Sequence, residues 1–529
     1  MNLMSSLNIT SGALSVNEKA ISVVSHNVSN MNTEGYHKQR VNLQARNIAG
    51  QIGDNPYNQV RANGGVKIAN VMRYNDEYLN NYYRTQLSEK NKLEQQLGDL
   101  DELAGIFDDL EGTGIDSALS DFYDALNNLN QYPASATART NFVERAKTLT
   151  KIMNTKSIEL NKLTGAALGD GDSDEALRNS RIYTVYKEFN TSLDELAAVN
   201  KALQTTQTGT LTANNLLDKR DLILHDISQF VDITVDEKAN GSVNVYMGDI
   251  ALVKGATVTG KLDIKTAKEV YGDNWRTVTQ DPAIANLVDE NGGTISVDIN
   301  ADITGGAIGG LIHSNEQTTA DGSITPGTIQ TQLDKLANQI AKVFNELNTD
   351  TTHAFAINPN DTTKLTATTA DNYIFVNDSG TDTDITAGNI RINPELYKDN
   401  GIWNIACAYF EDPSHMEPEA VGNSQNVVNM LATRNTKYPD PGGLSGMSIE
   451  EYYASMLGKI ASAGDSTRTQ YETQCDVVDS LENQLDSAYG VDLNEELIDL
   501  VKYQTAYAAA AQVFNVVNSC LDTLMTLGR

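Results

Sequence analysis

The sequence predicts a mainly α-helical protein with a β-rich insert. Three observations support this fold class. Both ends carry apolar residues at heptad spacing, residues 73–230 and 448–489 have helical apolar spacing with few Gly or Pro, and residues 231–410 contain short alternating runs between turn signals. The N- and C-terminal parts would together form a discontinuous stem of coiled-coil and helical-bundle parts, with the middle of the chain projecting as one or more outer β-rich domains.

The N-terminal segment predicts a helix with one narrow apolar stripe. Leu7, Leu14, Ile21 and Val28 recur every seven residues, with polar residues between them and no Pro. Such a stripe is typical of a coiled coil.

The C-terminal segment repeats this pattern along two lines of heptad positions. The first line is Leu493, Leu500, Tyr507, Phe514 and Leu521, and the second line is Leu497, Gln504, Ala511, Asn518 and Met525. The polar residues Gln504 and Asn518 either set the register of a helix pair or face a less buried stretch. A helix with so narrow an apolar face is marginal alone. We therefore expect residues 1–40 with 491–529 to form a terminal coiled-coil domain that is disordered in the monomer and packs within the chain, on other copies, or both.

The remaining helices predict a second part of the stem. Helical runs cover residues 76–107, 137–163, 173–203, 215–230 and 448–489, and Pro133 marks a break. We assign residues 41–230 with 411–490 to a long-helix bundle domain.

Residues 231–410 predict the outer β-rich part. Alternating runs at 243–246, 295–297, 373–376 and 390–392 indicate strands, and Asn240-Gly241 is a turn signal. One helix is expected at 328–348. The GGAIGG run at 305–310 is interpreted as tight turns, because no βαβ unit frames it.

Composition narrows the range of functions. The net charge of −31 argues against nucleic acid and anionic membrane surfaces. No apolar stretch is long enough to span a membrane, and the N-terminal residues do not resemble a secretory signal peptide. Three scattered Cys and six His form no metal or nucleophile motif, so we predict no enzyme, no metal and no cofactor.

Four stretches resemble the flagellar hook-associated protein 1 family (the hook–filament junction proteins). Residues 29–40 resemble an element shared with rod and hook proteins, with Glu34 where the family usually has Pro. Residues 122–146 resemble a helix–Pro–helix segment, residues 214–228 resemble a stretch that rod and hook proteins lack, and residues 490–507 resemble the terminal signature. The motif positions are Asn30, Asn32, Thr33, Gly35, Tyr36, Gln39, Leu217, Asp218, Arg220, Asp221 and Tyr503.

This resemblance implies a structural axial protein that forms a ring of its own copies between hook and filament. The partners it implies are the hook protein, hook-associated protein 3, an export chaperone on the C-terminal helix and the flagellar type III export apparatus. The protein would be exported unfolded on an uncleaved signal and be extracellular.

Three other interpretations remain open from sequence. A hook or distal-rod protein would share the first and fourth motifs. An enzyme or adhesin could use the insert as its active module. A cytoplasmic coiled-coil scaffold would share only the heptads.

Overall fold

The computed structural model describes residues 3–47, 63–108, 113–314, 316 and 322–527. Parts of the predicted terminal domain (1–2, 528–529), bundle (48–62, 109–112) and insert (315, 317–321) lie outside the described residues. The helices are α1 (Leu3–Ser29), α2 (Glu77–Phe107), α3 (Ile115–Gln131), α4 (Ala136–Leu168), α5 (Asp174–Arg178), α6 (Arg181–Thr205), α7 (Leu211–Phe230), α8 (Ala267–Tyr271), α9 (Gly306–His313), α10 (Pro326–Asn348), α11 (Gln425–Ala432), α12 (Ile449–Tyr489) and α13 (Leu493–Leu527).

The strands form small antiparallel sheets. They are β1 (Gln39–Asn47), β2 (Asn63–Arg73), β3 (Thr234–Glu237), β4 (Val243–Met247), β5 (Ile250–Lys254), β6 (Thr257–Val258), β7 (Lys261–Thr266), β8 (Ala283–Val288), β9 (Thr294–Ser296), β10 (Ala354–Ile357), β11 (Leu365–Ala367), β12 (Phe375–Val376), β13 (Arg391–Ile392) and β14 (Ala408–Tyr409). The sheet orders are β1-β2, β3-β4-β5-β6, β7-β8-β9, β11-β10-β14 and β12-β13. The predicted fold class, mainly helical with a β-containing middle, is confirmed.

The two terminal helices pack antiparallel to each other. Asn27 near the end of α1 contacts Glu496 at the start of α13, and Tyr503, two turns later, packs against Ala20. The same apolar cluster includes Val23 of α1 with Val41 and Val71 of the β1–β2 hairpin, so α1, α13 and the hairpin pack together.

A first core joins distant parts of the chain around four aromatic rings. Phe122 of α3 lies 5.3 Å from Phe142 of α4, 5.0 Å from Phe344 of α10 and 6.2 Å from Phe375 of β12, measured between ring centroids. The amino-terminal part of α12 adds Tyr453, which is also buried. Residues from both sides of the middle segment therefore complete one core.

A second core places α6 and α7 against the β3–β9 sheets. Asn200 of α6 exchanges two hydrogen bonds with Val243 of β4, each of 2.9 Å, and Asn190 does the same with Leu262 of β7 at 2.7 and 3.0 Å. Buried amides thereby satisfy strand backbone groups that face a helix.

These cores do not follow the predicted boundaries at residues 230 and 410. The second core runs from residue 167 to 312, and the first core includes residues 329–407 together with α3, α4 and α12. The three-part division remains a prediction about which parts fold or assemble as units.

The GGAIGG run was interpreted wrongly, because it forms the buried helix α9 and not tight turns. A Cβ on Gly310 would lie 2.9 Å from the Lys92 carbonyl oxygen of α2, so glycine here lets two helix backbones approach closely. The helix predicted over 173–203 is also two helices, α5 and α6, with the break at Asn179 and Ser180, where the Ser180 hydroxyl donates to the Leu177 carbonyl at 2.5 Å. The β1–β2 hairpin was not predicted, because its sequence is largely polar and few of its side chains, Val41, Ile68 and Val71, contribute to the apolar cluster beneath it.

Replacing Phe122 tests the first core. In Phe122→Ala, the lost ring leaves a cavity among four aromatic neighbours, and the free energy of unfolding should fall by about 3–5 kcal/mol. Urea unfolding followed by Trp403 fluorescence, in a Trp275→Phe background, measures this loss. Tyr132→Ala, which removes a 58% exposed ring, is the matched control and should change stability by less than about 0.5 kcal/mol. Equal losses in both variants would contradict the described core.

Candidate assembly site

The motif residues of the two ends and of α7 meet in one region, which we call the junction. It comprises the turn after α1 (residues 30–38), the ends of β1 and β2, the amino-terminal half of α7, and the α12–α13 turn. Through it, the terminal helix pair connects to the rest of the molecule.

The turn after α1 reverses the chain at Gly35. Its φ of +71° belongs to the left-handed region that favours glycine, and a Cβ there would lie 3.5 Å from Leu222 of α7. Asn30 donates to the carbonyl of His26 at 2.9 Å, and Thr33 donates to the Asn30 side chain at 3.3 Å. Asn32 is exposed. The turn thus closes on local hydrogen bonds without the proline that Glu34 replaces.

Asn27 links α1 to the strand that follows. Its Oδ1 accepts from the Tyr36 hydroxyl at 2.7 Å and from the Gln39 backbone at 3.2 Å, and its Nδ2 donates to the Gln39 carbonyl at 2.9 Å. The Gln39 Oε1 in turn accepts from Asn214 of α7 at 2.9 Å. These buried amides therefore join three segments.

A buried ionic network fixes α7 to β2. Arg73 donates to Asp218 at 2.7 Å and to Asp221 at 2.6 Å, while Arg220 donates to Asp221 at 2.8 and 2.7 Å. Arg220 also contacts Glu237 of β3 at 3.0 Å. The side chains of Arg73, Asp221 and Arg220 are all less than 5% exposed. Leu217, half-buried, packs against the second core beside this network.

Asp221 is held ionised by this network. Burial alone would raise the pKa of its carboxyl, but Arg220 and Arg73 together hold that pKa well below its usual range. The carboxylate therefore carries its negative charge between two guanidinium groups. Removing either cation would leave it incompletely compensated in the interior.

The α12–α13 turn docks on the same region. The Lys38 N–H donates to the Tyr489 carbonyl at 2.8 Å, and the Tyr489 ring stacks on His37 at 4.7 Å. The Tyr489 hydroxyl accepts from the Asp76 N–H at 2.8 Å. His37 Nδ1 lies 3.0 Å from Asp218 Oδ1, so this stack borders the ionic network.

Ion pairs tie the start of α13 to β1. Lys38 lies 2.5 Å from Glu495, and Arg40 lies 3.1 Å from Asp499. Arg40 and Glu495 are largely exposed, so each pair contributes at most about 1 kcal/mol.

The structure brings only one of the two predicted lines of α13 towards α1. In the first line, Leu500, Phe514 and Leu521 are half-buried, whereas Leu493 and Tyr507 are 39% and 40% exposed. The second line is largely exposed, at Leu497, Gln504, Asn518 and Met525, with Ala511 half-buried. The less exposed positions that alternate with the first line are instead Glu496, Tyr503, Ala510 and Val517.

The difference between the predicted and the observed second line of α13 arises from helix geometry. With 3.6 residues per turn, a line at seven-residue spacing can be completed by a second line three or four residues further on. The residue types on α13 did not indicate whether the second line would be the one that contains Leu497 or the one that contains Glu496. On α1, Leu7, Leu14, Ile21 and Val28 are all half-buried, and the most buried positions are Thr10, Val16, Ala20, Val23, Val24 and Asn27.

The outward side of α13 is apolar and uncovered in the single chain. Its exposed large side chains include Leu497, Ile498, Val501, Val513, Val516 and Met525, with exposures from 46% to 73%. We call these residues the outer stripe.

Several junction residues were not predicted from sequence: Asn27, His37, Arg73, Tyr489 and Glu496. All but Arg73 lie in or beside motifs that were recognised, yet nothing in those motifs indicated which polar residue would be buried. In the described part of the chain, no helix is long and apolar enough to cross a bilayer, and no cluster of three potential metal ligands occurs.

Comparison with known families separates the possible flagellar assignments. A model described as flagella basal body rod protein matches residues 7–37, and one described as flagellar basal body rod FlgEFG protein C-terminal matches 469–527. The model of the flagellar hook-associated protein FlgK helical domain matches 100–355, a range that contains the Asn214–Asp221 motif. Proteins named flagellar hook-associated protein 1 match along nearly the whole chain. The chain belongs to the hook-associated protein 1 family.

The similarity to individual family members extends from end to end. The Bacillus subtilis protein is 24% identical over 97% of this chain and 96% of its own length. The Salmonella typhimurium and Escherichia coli proteins are 23% and 24% identical, each over 99% of this chain and 100% of their own. The flagellar hook junction protein FlgK from Burkholderia pseudomallei has a similar fold, with a TM-score of 0.57 at 13% identity, over 77% of this chain and 100% of that one. Membership in this hook-associated family makes the protein a structural component of the flagellum.

Removal of Arg73 tests the ionic network. In Arg73→Ala, two buried carboxylates lose a shared cation, and the free energy of unfolding should fall by about 3–5 kcal/mol. Urea unfolding followed by Trp275 fluorescence, in a Trp403→Phe background, measures the change. Arg145→Ala removes a half-exposed pair with Asp121 and should cost no more than about 1 kcal/mol. A similar small cost in both variants would show that the network does not support the junction.

A buried histidine next to the network predicts a pH dependence. Burial, assisted by Arg84, lowers the pKa of His225 from 6.5 to about 4. Between these values the unfolded chain binds a proton that the folded chain does not, so stability falls as pH falls from 6.5 to 4. His225→Phe keeps a ring 4.8 Å from Tyr83 but removes the titration. Between pH 7.5 and 5, wild type should lose about 2 kcal/mol more than this variant.

Urea unfolding at both pH values, again followed by Trp275 fluorescence, checks this difference. His415→Phe is the control, since that ring is 82% exposed, and it should keep the wild-type pH dependence. If His225→Phe also keeps it, the titrating group lies elsewhere.

Proposed function

We propose that the protein forms a ring between the hook and the filament, and that its terminal helices build the contacts of that ring. The observation that carries this proposal is the outer stripe of α13. One side of this helix is used against α1, and the other presents large apolar side chains to solvent. Contiguous exposed apolar surface of this kind is typical of an interface.

The energetics favour assembly through this surface. Burying a Leu, Ile or Val side chain contributes about 1.5–3 kcal/mol, so several outer-stripe residues together offset the cost of association. A contact between the outer stripe and a different surface of a second copy is heterologous, and repetition of such a contact closes a ring or builds a tube. The net charge of −31 keeps unassembled copies soluble.

The partners follow from the position of such a ring. One face of the ring would contact the hook protein and the other hook-associated protein 3. Before assembly, the chain would leave the cell unfolded through the flagellar type III export apparatus and become extracellular. An export chaperone on residues 504–525 would cover apolar side chains that otherwise associate early. The proposal assigns no catalytic activity to the protein.

Complementation tests this function. In a bacterium lacking its own hook-associated protein 1, hooks should form without filaments and flagellin should appear in the medium. Expression of this chain should restore filaments, counted by electron microscopy, and place the protein in sheared flagella. A chain that is exported and stable but leaves the hooks bare would contradict the proposal.

The same strain tests the outer stripe. Val501→Asp with Val516→Asp places two charges on side chains that are each 63% exposed, so the single chain should remain folded. Because both positions would be buried between copies, filament number should fall at least tenfold. The control pair Thr85→Asp and Thr148→Asp adds the same two negative charges at exposed positions of α2 and α4. Normal filaments in the α13 variant would exclude the outer stripe from the assembly contact.

A further inference from the structure

Helix α13 is apolar on two sides, so burial of apolar surface alone does not determine how it docks. Leu500, Phe514 and Leu521 face α1, but Ile498 and Val516 on the opposite side are equally suited to an apolar contact. A rotation of about half a turn would exchange the inward and the outward apolar face. A polar contact is therefore needed to specify the rotation.

Glu496 supplies that contact. Among the side chains of α13 that the structure describes, Glu496 alone is buried, with 3% exposure. Its Oε2 accepts from Asn27 Nδ2 at 3.0 Å, and Lys38 Nζ lies 3.6 Å from its Oε1. The neighbouring Glu495 is 66% exposed, although it contacts the same lysine.

The partner of Glu496 is held in place without α13. Asn27 is fixed by the Tyr36 hydroxyl and by two backbone groups of Gln39, at 2.7 to 3.2 Å. Those contacts leave one Nδ2 hydrogen of Asn27 directed at α13. Any other rotation or register of α13 would leave that buried hydrogen without an acceptor, which costs about 1–3 kcal/mol.

We infer that Glu496 sets the rotation and register of α13 on α1, and so selects which apolar face stays outward for neighbouring copies. This inference rests on the proposed function, because it assigns Glu496 a role in assembly. Buried polar residues in helix pairs are best attested in setting register, even where they add little stability. Glu496 is a positioning residue in this role, and the outer stripe makes the contact.

Three variants of the full chain test the inference in the complemented strain. Glu496→Leu makes the inward face more apolar but removes the acceptor, and filament number should fall at least tenfold. Glu496→Gln keeps an acceptor for Asn27, and Glu495→Leu adds the same leucine one position away on the exposed side. Both should keep filament number within twofold of wild type. The Trp275 and Trp403 unfolding transitions of purified Glu496→Leu should match those of wild type.

Each other outcome overturns the inference. If Glu496→Leu forms filaments within twofold of wild type, the acceptor does not set the register. If Glu496→Gln fails as Glu496→Leu does, the charge matters and not the hydrogen bond. If Glu495→Leu fails equally, any added leucine in this region is disruptive. If the unfolding transitions of Glu496→Leu are lost, Glu496 acts in folding. Failure of the wild-type chain to restore filaments would instead refute the proposed function.

Discussion

The rest of the structure depends on the ionic network of Arg73, Asp218, Asp221 and Arg220. Arg73 ends the β1–β2 hairpin, α7 supplies the carboxylates, and Arg220 reaches β3. Every segment that connects the terminal helices to the body passes beside this network. Its charges are buried, so the geometry that pairs them tolerates little displacement. The junction therefore holds one end of the terminal helix pair rigidly, while the helix pair itself has few buried residues.

In this arrangement, one set of residues determines the orientation of the terminal helices and another provides apolar surface for binding. The junction contains hydrogen-bonded side-chain amides, a hydrogen-bonded tyrosine hydroxyl and ion pairs, and each of these groups has a defined partner. The outer stripe contains aliphatic side chains, which provide free energy on burial but little orientation. A protein that adds to a growing structure in one orientation needs both kinds of contact. In this chain the junction and the outer stripe are connected by contacts that run from α7, through the turn after α1, to the start of α13.

Much of the fold could be predicted because helices longer than four turns have a clear apolar period. The ends of α2, α4, α7 and α12 were predicted to within five residues, and the Asn240-Gly241 turn was found from its residue types. Three features depended on tertiary contacts that no local pattern encodes. The hairpin after α1 is largely polar along its length, the glycines of α9 are explained only by the backbone of α2, and the middle segment is divided between two cores.

The candidate site was predicted in part for a related reason. Motif positions such as Tyr36, Gln39, Asp218 and Asp221 lie together in the structure, but their partners Asn27, Arg73 and Glu496 were not expected. Sequence periodicity identified that α13 has an apolar line, and left open which adjacent line completes it. For Gln504 and Asn518 the sequence left two alternatives, setting the register or facing a less buried stretch, and both residues are exposed in the single chain. The buried polar residue of that helix is Glu496.

The first core has a consequence for the order in which the chain can fold. It joins residues 100–163 to residues 427–460, which are separated by about half of the polypeptide. A chain that emerges from a narrow passage one end first cannot close this core until about nine-tenths of it has passed through. Until then, α3 and α4 can pack on residues 329–407, but they lack the side of the core that α11 and α12 supply. The connectivity thus makes the first core the later of the two to be completed, because the second core needs nothing beyond residue 312.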